Sequence, residues 1–181
     1  IRHGSPPPTE RQVRTATPPN GGMRELLEAV AAGDLAPAEA EARLRGYATT
    51  GAGRFDAGRE QRRGVPEAIL AAGKSPSEVA ALTRTALETT GHALVTRVSA
   101  ADVAAATDAV DGSTTLDHDE RGRTLVARRP DYEPPALSAD VAIVTGGTAD
   151  AAVAAEAETA LGAMGVDATR IDDVGVAPLG R

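Results

Sequence analysis

Val141-Ala142-Ile143-Val144-Thr145-Gly146-Gly147-Thr148-Ala149-Asp150 is the stretch that decides the fold. A short apolar run meets two glycines, a hydroxyl and an acid. An alanine-rich helical pattern follows from Ala151 to Met164. The order predicts a strand over 139–145, a helix over 149–164 and a second strand over 167–171. A strand, a crossover helix and a strand form a βαβ unit with parallel strands. At the corner, Gly146 and Gly147 let the backbone turn sharply and let a ligand approach the amides. Thr148 is placed to cap the helix, leaving first-turn N–H groups for an anion. Asp150 falls in the first turn, where the helix dipole favours a carboxylate. Two readings stay open on pattern alone. One is an ordinary tight turn with a good cap. The other is a ligand corner, in which Asp150 accepts from a ribose hydroxyl or shuttles a proton. The third glycine of the dinucleotide fingerprint is missing.

Upstream, Pro130, Pro134 and Pro135 mark a linker, so a domain boundary is expected near 130–138. Residues 1–22 hold Pro6-Pro7-Pro8 and Pro18-Pro19 with almost no large apolar side chain, and read as a disordered leader. The expected division is leader 1–22, an amino-terminal α+β domain 23–131 and the start of a second domain 132–181. Met23, Leu26, Leu27 and Val30 recur at helical spacing, with Gly33 as the stop. Pro37 to Arg45 reads as a second helix, and residues 48–58, small and glycine-rich, read as a loop. Glu67 after Pro66 reads as support for a helix start. Ser75-Pro76-Ser77-Glu78 is a capping box that opens a helix ending near Gly91. Residues 93–98 read as a strand. Ser99-Ala100-Ala101-Asp102 is a second capping box, with its helix running to about Val110. Residues 114–117 and 124–128 flank a turn containing Gly122 and read as a hairpin.

Composition bounds the function. The chain has 181 residues and a net charge of -7, which argues against nucleic acid or an anionic membrane as partner. Lys74 is the only lysine, so arginine supplies every other fixed side-chain cation. This fits a salt-adapted cytosol or a GC-rich coding bias. Aromatics are 2% of residues and alanine supplies much of the apolar share, so a partner surface is expected to complete the core. With no cysteine, these residues hold no disulfide, thiolate metal site or cysteine nucleophile. No apolar stretch reaches membrane length, and the expected location is the cytoplasm.

Several segments, in order, carry a family resemblance. They are Arg62-Arg63-Gly64-Val65-Pro66-Glu67-Ala68-Ile69, Gly73-Lys74-Ser75-Pro76, Val95-Thr96-Arg97-Val98-Ser99, the corner itself, and Arg170-Ile171-Asp172-Asp173-Val174-Gly175-Val176-Ala177. Over residues 23–181 the chain resembles the pyridinium-3,5-biscarboxylic acid mononucleotide synthases, which make the nickel-pincer cofactor of lactate racemase. That family is related to the aminoimidazole ribonucleotide carboxylases and mutases of purine synthesis. The resemblance implies an α/β fold: a small mixed amino-terminal domain, then the first βαβ portion of a flavodoxin-like parallel sheet. Ligands in such sheets bind outside the carboxyl ends of the strands.

The implied activity carboxylates the pyridinium ring of nicotinic acid adenine dinucleotide with carbon dioxide or bicarbonate. It also cleaves the phosphoanhydride and releases AMP. No tightly bound cofactor and no metal site are read, and the implied partners are the dinucleotide and further copies of the chain. Thr145, Gly146, Gly147, Thr148 and Asp150 would line the substrate pocket, with Asp173, Gly175 and Arg181. Asp150 would touch the ribose or the reacting ring. The family's nucleophilic cysteine and a later glutamate are missing from these residues, and Gly180 stands where the family has histidine. The reading is therefore a truncated chain, inactive alone. The alternatives are the purine-pathway carboxylase or mutase, and a non-catalytic nucleotide-binding or assembly module. Against the first, those enzymes lack such an amino-terminal extension.

Weaker candidates remain. Arg62, Arg63 and Lys74 are read as phosphate contacts or solvated charge. Arg97 either faces a cleft or pairs with an acid across domains. Asp117-His118-Asp119-Glu120 is read as a surface turn rather than a metal site, and His3 and His92 are scattered.

Overall fold

The structure is a computed structural model that describes residues 23–44, 46–135, 137 and 139–175. The predicted leader, 1–22, lies outside the described residues, as does Arg181. Helices α1 (Met23–Ala32) and α2 (Pro37–Leu44) form the expected amino-terminal pair. Of the apolar stripe on α1, Leu26 is buried, whereas Met23 and Leu27 are exposed.

Residues 48–58 are not the expected loop. They form an antiparallel hairpin of β1 (Tyr47–Thr50) and β2 (Gly53–Asp56), with Tyr47 opposite Asp56 and Thr50 opposite Gly53. Gly53 adopts φ +133°, open to glycine at no steric cost, and the Thr50 hydroxyl donates to its carbonyl at 3.0 Å. Phe55 anchors the hairpin in the main core. A short helix, α3 (Arg59–Arg63), ends at Gly64 in the left-handed region. Glu67 then precedes a strand rather than a helix. Strand β3 (Ala68–Leu70) buries Ile69 and pairs in parallel with residues 94–96. Burial of one β-branched side chain and a ready parallel partner outweigh the local helix signal.

Both capping boxes form. In α4 (Pro76–Thr90), the Glu78 carboxylate accepts from the Ser75 N–H at 2.7 Å and the Glu78 N–H donates to the Ser75 hydroxyl at 3.4 Å. In α5 (Ala100–Ala109), Asp102 and Ser99 do the same at 2.8 and 3.3 Å. Each satisfies two helix-end N–H groups that have no partner within the helix. Strand β4 (His92–Thr96) follows α4, and the expected hairpin is β5 (Thr115–Asp119) with β6 (Thr124–Arg128). The sheet order is β3-β4-β6-β5, with β3 parallel to β4 and the rest antiparallel.

Strand alternation divides this sheet between two layers. Val95 opposite Leu125 and Ala93 opposite Ala127 face the core shared with α4 and α5. Leu94 opposite Val126 faces away and packs with Ala160 and Ala163. Those alanines belong to α6 (Ala151–Ala163), the crossover helix of the predicted βαβ unit. Its strands, β7 (Val141–Val144) and β8 (Ala168–Ile171), are parallel. Alanine on α6 lets the helix lie close to the sheet. A Leu–Val pair with small partners fills this layer.

In the segment between β6 and β7, the Tyr132 ring stacks on His92 with centroids 4.4 Å apart. Gly91 makes room for it: a Cβ there would stand 3.2 Å from Tyr132 Cδ2, and its φ of +79° is left-handed. The fold is mixed α/β.

Candidate functional site

The corner after β7 closes through its own acid. Thr148 does not cap the helix, contrary to the sequence reading. A single 3-10 turn, Thr148–Asp150, leads into α6 without a side-chain cap from Thr148. Instead, Asp150 Oδ2 accepts from the Gly146 N–H at 2.9 Å and the Gly147 N–H at 3.2 Å. An ionised carboxylate outcompetes a hydroxyl for paired amides because its bonds are charge-assisted. The amides expected to meet an incoming anion therefore already hold one. Oδ1 of the same exposed carboxylate has no hydrogen-bond partner among the described residues.

Thr145 ties the corner to the segment after β8. It is buried, and its hydroxyl donates to Asp172 Oδ1 at 3.0 Å and accepts from the Asp173 N–H at 3.1 Å. Its carbonyl accepts from the Val174 N–H, and the Gly146 carbonyl accepts from the Gly175 N–H, each at 3.0 Å. Asp173 makes the required bend with φ +56°, a conformation that Asp tolerates better than most residues. Gly175 passes so close that a Cβ would fall 2.1 Å from the Gly146 carbonyl oxygen. Only glycine fits there.

Within β8, Arg170 Nε donates to Asp172 Oδ1 at 2.9 Å, and the guanidinium also lies 3.6 Å from Glu158. The Arg170 bond, reinforced by the Thr145 hydroxyl, holds the Asp172 carboxyl below the usual carboxylate range. Asp172 in turn raises Arg170.

These groups surround a cleft of about 150 Å³ at the carboxyl ends of β7 and β8. Of the residues named from sequence, Thr145, Gly147, Thr148 and Asp173 line it, with Arg170 and Asp172 beside them. Gly146, Asp150 and Gly175 are not among them: Asp150 is bonded to lining Gly147, and Gly146 to Asp150 and Gly175. Arg181 lies outside the described residues.

Four lining residues, Arg121, Ala151, Arg170 and Asp172, were not among the site residues read from the sequence. Arg121, in the β5–β6 turn of the other sheet, reaches the same cleft. Its turn docks on α6 at Gly122, where a Cβ would stand 2.9 Å from the Glu156 nitrogen and 3.0 Å from the Ala155 carbonyl carbon. Thr124 and Thr159 share a hydroxyl hydrogen bond at 3.1 Å alongside. The sequence signal was Gly122 itself, which reads as a turn residue but serves as a close helix contact.

The weaker candidates are engaged elsewhere. Arg62 pairs with Asp56 and lies over the Tyr47 ring, and Lys74 donates to the Leu70 carbonyl at 2.7 Å. Neither they nor Arg63 line the corner cleft. Arg97 is exposed with φ +58°, and makes no ion pair among the described residues. Asp117 pairs with Arg128 at 2.7 Å, and Asp119 accepts from the Gly122 N–H at 2.6 Å. No cluster of metal-binding type occurs among the described residues. No helix among them is long and apolar enough to cross a membrane.

The mixed α/β arrangement places this cleft at the carboxyl ends of two parallel strands. Residues 47–129, from β1 to the end of β6, match the LarB/PurE-like N-terminal domain family. The match spans just under half of the chain. It is also similar to an uncharacterized protein of Methanocaldococcus jannaschii, with 32% identity over 166 residues. The match covers 88% of this chain and 64% of that relative, so the chain spans under two thirds of the relative's length.

Proposed function

We propose that the protein works in the carboxylation of the pyridinium ring of nicotinic acid adenine dinucleotide, coupled to phosphoanhydride cleavage. Carboxylation exchanges a ring hydrogen for a carboxylate and releases a proton. Hydrolysis adds water across the P–O–P linkage, giving AMP and the carboxylated mononucleotide. A carboxylase-related family carries the general class. The observation that supports the specific reading is the cleft at the ends of β7 and β8, lined by exposed Thr148 and Asp173, with exposed Asp150 bonded to lining Gly147. Carboxylates with free oxygens suit ribose hydroxyls, and strand ends in open α/β sheets are where nucleotides bind.

In this reading Asp150 is the residue that touches the ribose or the reacting ring. Its Oδ2 keeps the corner folded, and Oδ1 is left to accept from a ligand hydroxyl. The covalent step needs the family's cysteine, and this sequence contains none. The reading therefore assigns binding to these residues and the ring chemistry to a cysteine supplied from elsewhere. It also makes the working protein a cytoplasmic homo-oligomer. The exposed apolar pair Val144 and Ile171, opposite each other in register, supports an assembly face.

Titration calorimetry with nicotinic acid adenine dinucleotide tests the binding role. Saturable heat from this chain, weakened by Asp150→Asn, is expected. A featureless titration sinks the assignment. The purine-pathway alternative would show itself as preference for aminoimidazole ribonucleotide over the dinucleotide. A second reading, a binding module without chemistry, is favoured by the missing cysteine. It is discriminated by incubating a longer form of the protein, one reaching such a cysteine, with dinucleotide and bicarbonate. Appearance of carboxylated mononucleotide and AMP excludes it.

A further inference from the structure

We infer that Arg121 is a phosphate-anchoring residue, lent by the amino-terminal domain to a pocket otherwise built from β7, α6 and β8. The inference rests on the nucleotide reading above and adds the group that holds the phosphate.

Charge accounting leads to it. The Gly146 and Gly147 amides, which would ordinarily receive a phosphate, are taken by Asp150 Oδ2. Arg170 is committed to Asp172 and Glu158. Arg121 lines the same cleft and is exposed. Its charge reaches Asp172 through space, yet Arg121 makes no hydrogen bond or ion pair among the described residues. An anion entering the cleft therefore meets one guanidinium with its donors open. A planar fork of donors matches phosphate oxygens in pairs, which lysine cannot reproduce.

The backbone around Arg121 is held as a ligand-anchoring position requires. Gly122 is wedged against α6 and its N–H is bonded to Asp119. Arg123 sits at φ +52°, and its guanidinium donates to the carbonyls of Arg97 at 3.1 Å and Val98 at 3.2 Å. A non-glycine residue held in that region marks a place where surrounding contacts overrule local preference. The turn is fixed at Gly122 and Arg123, while the Arg121 side chain is left to reach.

The test uses the full 181-residue chain and titrates nicotinic acid adenine dinucleotide into wild type, Arg121→Ala and Arg121→Lys at two salt concentrations. Arg121→Ala is expected to bind about tenfold more weakly with a flatter salt dependence, at unchanged thermal midpoint. Arg121→Lys should recover only part of the loss. Wild-type affinity and salt slope in Arg121→Ala would overturn the inference while leaving the nucleotide reading intact. Wild type that binds no dinucleotide overturns both.

Discussion

Gly122 in the β5–β6 turn presses against Glu156 in α6, with space for a hydrogen but not for a methyl group. A Cβ there would stand 2.9 Å from the Glu156 backbone nitrogen. Helix backbone cannot yield as a flexible side chain can. Gly122→Ala should therefore cost about 1–3 kcal/mol, the range for overpacking. Gly112 is the internal control, since an added methyl group would meet nothing within 4 Å and its φ is not left-handed. Gly112→Ala should be neutral within about 0.5 kcal/mol. Urea denaturation of the two variants checks the contrast.

Asp150 holds the corner from within. Removing its carboxylate in Asp150→Ala leaves the Gly146 and Gly147 amides to water, at a cost of about 0.5–2 kcal/mol by analogy with helix caps. Hydrogen exchange should accelerate at those two amides in Asp150→Ala. Asp150→Asn, which keeps an acceptor oxygen, should protect them better. Equal exchange in all three proteins would show that the carboxylate does not cap the corner in solution.

Thr145 joins the two strand ends, so Thr145→Val should loosen both. The isosteric change leaves the Asp173 N–H without its acceptor and removes one donor from Asp172. Both groups lie on exposed residues that water can reach, so the expected loss is that of the tie between the strand ends rather than of a buried unpaired group. The acid end of the stability profile should also change. The Asp172 carboxyl lies below the usual range when folded, so its contribution is present at neutral pH and lost as pH falls through that lowered value. Without the Thr145 hydroxyl, that loss should be smaller and complete at higher pH, as a denaturant midpoint series would record.

His92 makes stability depend on pH in a different window. Burial pushes its imidazole below the ordinary range, opposed by the Thr90 backbone and Glu60 and assisted by Arg128. Tyr132 covers its ring face, and Nδ1 has no partner among the described residues. The unfolded chain takes up the proton first, so stability is full above about pH 6.5 and declines as pH falls below it. His92→Phe keeps a ring for the Tyr132 stack and removes the proton. Its midpoint should be flat where wild type slopes, and a parallel slope in both would exclude His92 as the source.

The helices and their boundaries were legible because their signals are local. Ser75 with Glu78 and Ser99 with Asp102 each fix a start, and Gly91 fixes a stop. The β1–β2 hairpin was hidden because small residues and glycine surround Phe55, and its pairing partner Ala48 gives no pattern. Strand β3 was obscured by a proline and acid that mimic a helix start. At the corner, the turn and the parallel strands could be read. The exchange of Thr148 for Asp150 as cap could not, since it depends on two amides converging on one oxygen. Arg121 was invisible for a different reason. It enters through a docking contact of its turn on α6, and its own neighbours in sequence carry no trace of that contact.

The ring stack of Tyr132 on His92 also has an optical consequence. The chain contains two tyrosines, one phenylalanine and no tryptophan. Tyr47 lies beneath an arginine on the amino-terminal hairpin, whereas Tyr132 sits in the segment between β6 and β7. The near-ultraviolet signal of Tyr132 thus doubles as a label-free gauge of whether the segment joining those strands is seated.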